Sequence, residues 1–272
     1  MLIKAKSILC FFVKGVIRLM SKSTYNAEIA AKRWHAGNIY EIIIECENLA
    51  KEAHAGQFVQ VACGDDTFLR RPISIHDVNG SRVSMIFEVK GQGTRYLSQL
   101  KSGDFLNVLG PLGNGFNTDI QGDVLLIGGG LGVFPLYMVA KAKGNSCDAL
   151  LGYKSKRVLV SHNRFADVCR EVVITTDDGS YGIQGTAVGA AHSLVVNHHY
   201  KAIYACGPLP MLKAVHTLAC KYNIPAWISL EERMACGFGV CLACAVKSAE
   251  NENEYLHVCK HGPVFNSKEV IL

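Results

Sequence analysis

Near the C-terminal end of the chain, Cys236, Cys241 and Cys244 are separated by four and then two residues, and a fourth cysteine, Cys259, stands downstream. This spacing is the one with which a chain wraps a [2Fe–2S] cluster. It constrains the fold strongly, because each of two ferric irons needs two terminal thiolates beside the bridging sulfides, so the chain must return Cys259 to a tight loop. Gly237 and Gly239 suit that loop, since positive φ and backbone N–H groups aimed at sulfur come at least cost with glycine. Four cysteines can also hold zinc. Zinc knuckles, however, pair two C-x2-C units, whereas here the first spacing is x4 and the fourth thiol is single. His257 and His261 flank Cys259, but a Rieske-type centre needs two Cys-His pairs.

The rest of the composition suits a buried globular chain in a reducing compartment. Of 272 residues, 49% are hydrophobic and 19% charged, which argues against disorder and allows two domains with a small third. The net charge is +5. Its densest patch, Lys154–Arg157, reads as a solvated loop, so no nucleic-acid partner is expected. The other seven of the 11 cysteines, Cys10, Cys46, Cys63, Cys147, Cys169, Cys206 and Cys220, are scattered through mostly apolar segments. They read as small buried hydrophobes rather than a disulfide framework, which points to a cytoplasmic protein. The first residues have a basic start and an apolar run at Ile8–Val13, too short to span a bilayer and without a cleavage signal. Residues 1–23 therefore read as an extension, ahead of a working start near Met20 or as a tail, with no stable membrane insertion.

Two textures follow. Residues 24–118 carry short β-branched and aromatic runs at Ile39–Cys46, Phe58–Cys63, Ser84–Val89 and Phe105–Leu109, separated by turn material. This spacing predicts a small antiparallel β-barrel. Over residues 119–228, apolar runs at Val124–Ile127, Ala149–Leu151, Val172–Ile174, Ala202–Ala205 and Ala226–Ile228 alternate with helical patterns at Val133–Lys143 and Pro210–Asn223. Strand–helix alternation predicts an α/β domain on a parallel sheet. Residues 229–272 form the small cysteine-bearing domain.

Several motifs mark binding chemistry. Arg71, Pro72, Ile73 and Ser74 supply a permanent cation, a stiffened strand end and a hydroxyl at the end of a β segment. Gly93 and Thr94 stand at a strand-to-helix turn able to cradle an anion. Gly128, Gly129, Gly130 and Gly132 lie between an apolar strand and a helix, where a dinucleotide pyrophosphate can approach. Asp177 or Asp178, after another strand, can accept from a ribose 2′-OH and would repel a 2′-phosphate, which favours NAD over its phosphorylated form. Cys206 and Gly207 end a strand where α/β ligands bind.

The order R-P-I-S, G-x-G-T, Gly-rich turn and C-G-P resembles the ferredoxin-NADP reductase superfamily. The ending Ser229-Leu-Glu-Glu-Arg-Met-Ala-Cys236, with the cysteines that follow, resembles more narrowly the electron-transfer subunits of class B (NAD-linked) dihydroorotate dehydrogenases, over about residues 24–272. The resemblance implies a mixed architecture: an antiparallel β-barrel flavin domain, an α/β parallel-sheet nucleotide domain and a small C-terminal [2Fe–2S] domain. It implies FAD contacts at Arg71–Ser74, at Ile86, Phe87 and Glu88, and at Gly93 and Thr94, with cluster ligands Cys236, Cys241, Cys244 and Cys259. It also implies NAD as co-substrate, an FMN-containing catalytic partner in a heterotetramer, and a role in de novo pyrimidine biosynthesis. A flavin/iron–sulfur subunit of a hydrogenase or of a ferredoxin-dependent transhydrogenase is the alternative of the same architecture. No residue of this chain is then expected to act as acid or base on the pyrimidine.

Overall fold

The computed structural model describes residues 23–272, so the reading of the N-terminal extension, and of Cys10 within it, lies outside the described residues. The chain begins with a closed barrel of six strands: β1 (Ser23–Ala36), β2 (Ile39–Glu45), β3 (Phe58–Val61), β4 (Arg71–Asn79), β5 (Arg82–Glu88) and β6 (Phe105–Leu112), in the order β1-β2-β5-β4-β3-β6. Two short helices, α1 (Glu47–Glu52) and α2 (Gln92–Gln99), plug its connections. All pairings within the barrel are antiparallel. Its interior is filled by alternate side chains such as Ile29, Ile42, Ile44, Val59, Val61, Met85 and Val108, as the two-residue period of strands requires.

The second body alternates strand and helix. Its elements are β7 (Val124–Gly129), α3 (Val133–Lys143), β8 (Cys147–Tyr153), α4 (His162–Ala166), β9 (Glu171–Thr176), β10 (Ile183–Gln184), α5 (Ala187–Asn197), β11 (Ala202–Cys206), α6 (Leu209–Tyr222) and β12 (Ala226–Ser229). The cysteine segment then adds β13 (Ala245–Lys247), β14 (Tyr255–His257) and β15 (Val264–Asn266). The sheet order is β10-β9-β8-β7-β11-β12-β15, parallel throughout except for β15 against β12. Strand order reverses between β7 and β11, the switch point beside which ligands of such sheets bind.

The cysteine segment is built into this body. β15 pairs with β12 through Ser229↔Val264 and Ile228↔Phe265, and Cys244, Val258, Cys259 and Phe265 join one apolar cluster with Leu125, Ile127 and Ile228 of the sheet. Of the scattered cysteines, Cys63, Cys147, Cys169 and Cys206 are buried, as expected of small hydrophobes, and Cys46 is half-buried. Cys220 is exposed. It lies near the end of amphipathic α6, outside the set of that helix's buried residues, Leu212, Val215, Leu218 and Ala219. Among the described residues, no helix is long and apolar enough to cross a membrane.

Candidate functional site

Two adjoining clefts lie where barrel, sheet and cysteine segment meet. The first, of about 220 Å3, is lined by Pro72, Ile73 and Ser74 of β4, Ile86, Phe87 and Glu88 of β5, Thr94 of α2, and Ser229–Glu232 with Met234 beyond β12. The second, of about 570 Å3, is lined by Gly129–Gly132, Lys90, Lys154, and Gly207–Leu209. Glu88, Leu131, Phe134, Leu230, Glu231 and Glu232 belong to both. The two clefts therefore share a wall.

Local sequence explains each wall. A Cβ on Gly93 would come within 2.7 Å of Arg71 Nε, so the glycine lets the guanidinium lie across the start of α2. The two motifs, distant in the chain, thus present one cation and one set of helix N-terminal amides together, a cradle suited to phosphate. Thr94 Oγ1 accepts from the backbone N–H groups of Lys90 and Gly91 and fixes that turn. In the Gly-rich turn, a Cβ on Gly132 would sit 2.2 Å from the carbonyl oxygen of Cys206. Only glycine allows the turn after β7 to pack on the end of β11, and Gly130 with φ +56° leaves open space above it.

Asp177 and Asp178 follow β9, two strands from the switch point, and line neither cleft. The Asp178 carboxylate accepts from the backbone N–H and hydroxyl of Ser180, at 3.0 and 2.6 Å. Lys154, read from sequence as part of a solvated patch, is exposed and also lines the second cleft from the end of β8. Cys206 is buried. Its thiol is pushed up to about 12 by burial and by the charge of Glu231, against a hydrogen bond from Ser229, so it stays protonated. Glu231 and Glu232 were legible only as the lead-in to the cysteines.

The cysteine loop has the electrostatics of a thiolate cradle. Cys236 Sγ accepts from the backbone N–H groups of Phe238, Val240 and Cys241 at 3.3–3.4 Å. Burial opposes its ionisation, but these donors outweigh it and hold the thiol at about 6. Gly239 N–H donates to Cys259 Sγ at 3.1 Å, and Cys259 N–H to Cys244 Sγ at 3.4 Å. Burial, then the adjacent Cys244 thiol, raises Cys259 to about 12. Burial and the neighbouring sulfur thus oppose ionisation of Cys259, which a bound ferric iron would offset. Among the described residues, no three Cys, His, Asp or Glu side chains gather as ligands of one ion; a binuclear cluster asks for two thiolates per iron. Donor type, amide cradle and glycine geometry all fit such a cluster.

One polar network ties barrel to sheet domain and was not visible in the sequence. Glu41 of β2, 1% exposed, accepts from Ser84 Oγ at 2.6 Å, pairs with His35 Nε2 at 3.1 Å, and takes the Arg164 guanidinium at 3.2 Å. Arg164 Nη1 also meets His76 Nε2 at 2.8 Å, while His76 Nδ1 lies 2.9 Å from the Phe134 carbonyl. With Nε2 accepting from arginine, Nδ1–H must donate to Phe134, a neutral imidazole.

Residues 231–271 match the family described as the iron–sulfur cluster binding domain of dihydroorotate dehydrogenase B. The chain is 40% identical over 247 residues to the dihydroorotate dehydrogenase B (NAD(+)) electron transfer subunit of Caldanaerobacter subterraneus subsp. tengcongensis, covering 90% of this chain and 97% of that one. It is 39% identical to the subunit of that name from Streptococcus pneumoniae serotype 4, covering 90% and 100%. Among solved structures, it is similar to a chain of the NADH-dependent reduced ferredoxin-NADP oxidoreductase studied for flavin-based electron bifurcation. There the TM-score is 0.81 at 31% identity, over 93% of this chain and 91% of that one. A likeness to the ferredoxin reductase in carbazole 1,9a-dioxygenase, TM-score 0.65 at 21% identity over 77% and 68%, is one of fold.

Proposed function

The chain belongs to the family of dihydroorotate dehydrogenase B (NAD(+)) electron transfer subunits, and from that premise we propose how its parts share the work. It is the redox relay of an NAD-linked oxidoreductase complex, whose partner is the catalytic subunit that handles dihydroorotate. That partner carries FMN, and the assembly is a heterotetramer. When bound, FAD exchanges a hydride with nicotinamide and single electrons with a [2Fe–2S] cluster, so the hard chemistry belongs to the cofactors and the protein supplies position and field.

On this reading Arg71 and the start of α2 hold the FAD phosphates, while Pro72–Ser74 and Ile86–Glu88 hold the flavin in the first cleft. The turn Gly128–Gly132 and Gly207, with Lys154, hold the dinucleotide in the second, and Leu131, Phe134 and Leu230 exclude water between them. Cys236, Cys241, Cys244 and Cys259 ligate the cluster. The observation that carries the reading is the shared wall: the segment leaving β12 lines both clefts through Leu230–Glu232 and runs directly into Cys236. The same segment would hold the groups bound in the clefts and lead the chain to the cysteines that would ligate the cluster. The 31%-identical bifurcating oxidoreductase chain shares the frame, but the 40%-identical relatives favour the dihydroorotate assignment.

Anaerobic purification should yield flavin and about two irons and two sulfides per chain; stoichiometric zinc without iron would refute the cluster. With the catalytic subunit the chain should form a stable complex that reduces NAD⁺ with dihydroorotate, and alone it should not. Nucleotide choice provides a further check. If Asp177 and Asp178 read the ribose, their joint change to asparagine should narrow the preference for NADH over NADPH by about tenfold, one hydrogen bond to a charged group. An unchanged ratio would shift that role to the end of β8, where Lys154 lies.

A further inference from the structure

Gln60 occupies a position that the surrounding packing would give to an apolar residue. It lies on β3, every residue of which is buried. Its neighbours Val59 and Val61 point into the barrel core, so strand alternation turns Phe58 and Gln60 outward. Phe58 joins the apolar cluster that contains Cys244 and Cys259. Gln60 therefore faces the cysteine segment and is 0% exposed. Neither its Nε2 nor its Oε1 has a hydrogen-bond partner among the described residues. Leaving both ends of a buried carboxamide unpaired is costly, so its partner is expected to come from outside the chain.

The direction in which it points is set by Gly237. That residue has φ +78°, and a Cβ on it would stand 2.7 Å from Gln60 Cγ and 2.9 Å from Nε2. The amide thus lies against the residue next to Cys236, whose sulfur already collects three backbone N–H groups. On its other side Gln60 pairs in register with Pro72, a wall of the first cleft. It is a buried polar side chain between that cleft and the cysteine loop.

We propose that the Gln60 side-chain N–H donates to a sulfur of the iron–sulfur centre, sets its reduction potential, and couples the flavin strand to the cluster. This rests on the cluster assignment given above. A donor to sulfur favours the reduced, more negative cluster, so Gln60 makes the centre a better one-electron acceptor. Methionine matches the length of glutamine and removes the donor.

In the complex purified with full iron and sulfide, Gln60→Met should lower the equilibrium constant for cluster reduction by about tenfold, equal to 59 mV for one electron, in a redox titration followed by electron paramagnetic resonance. In wild-type protein labelled with 15N at glutamine side chains, the reduced centre should show a weak 15N coupling in pulsed resonance spectra. That coupling should vanish in the variant. An unchanged potential in a fully loaded variant, or no 15N coupling in the wild type, overturns the proposal. If the variant does not retain its cluster, the wild-type coupling decides alone. Absence of iron from the wild type would instead reject the cluster assignment itself.

Discussion

Replacing Cys241 with alanine should reduce dihydroorotate-driven NAD⁺ reduction by the assembled complex by about 100-fold or more, since loss of even outer-shell partners costs 10–100-fold. Reduction of an artificial dye by NADH at the flavin should persist. The separation of the two activities follows from geometry: the first and second clefts are walled by β4, β5, α2 and the Gly-rich turn, and Cys241 lines neither. Cys241 is also exposed, so its side chain is not needed to fill a core, and a folded variant is expected. Cys220→Ala is the control, because that exposed thiol on α6 has no place in the relay. Equal rates for Cys241→Ala and wild type, with iron retained, would remove Cys241 from the ligand set.

The second large effect should come from the network between barrel and sheet domain. Glu41→Gln leaves Arg164, 29% exposed, without its carboxylate partner, and breaking a fully buried pair from one side costs roughly 3–5 kcal/mol, a loss that the partial exposure of the arginine reduces. Denaturant unfolding should register this as a lower midpoint with little change in slope. The same network should make the protein acid-sensitive. Burial above all drives His76 from its ordinary 6.5 down to about 4. The unfolded chain therefore holds a proton there that the folded one lacks, and stability falls as pH drops from about 6.5 toward 4. Glu41 adds to the loss further down: burial opposes its charge, but His35, Ser84 and Arg164 hold the carboxyl well below its usual 4.5. Its contribution is full above that value and declines on acidification. His76→Asn should flatten the upper part of this slope and leave the lower part in place. A slope unchanged in that variant would assign the acid sensitivity elsewhere.

The parts of this molecule that a reader of the sequence could recover are those with local signals. The apolar run of β7, the glycines and the periodic helix behind them read directly, and α3 spans the predicted Val133–Lys143. The cysteine spacing pointed to its chemistry without any fold. What escaped was non-local or irregular. β1 runs for 14 residues, yet bulges between Ile29 and Ala31 and between Trp34 and Ala36 break its two-residue period. Glu41 stands in an apolar run, and its partner Arg164 is 123 residues away. Gln60 stands among apolar residues of a β run. Only the packed cysteine segment shows that the Gln60 face of that strand is covered.

The pairing of Ser229 with Val264 also bears on how such a relay could be re-equipped. The cysteine-bearing stretch leaves the sheet at one residue and returns beside it, its two ends about one strand spacing, ~4.8 Å, apart. The sheet fixes the ends whatever lies between them, so the stretch behaves as a cassette seated in a socket. Closing such a loop becomes only slightly costlier as it grows. One flavin and nucleotide frame could therefore accept inserts of different length, each delivering electrons to a different recipient.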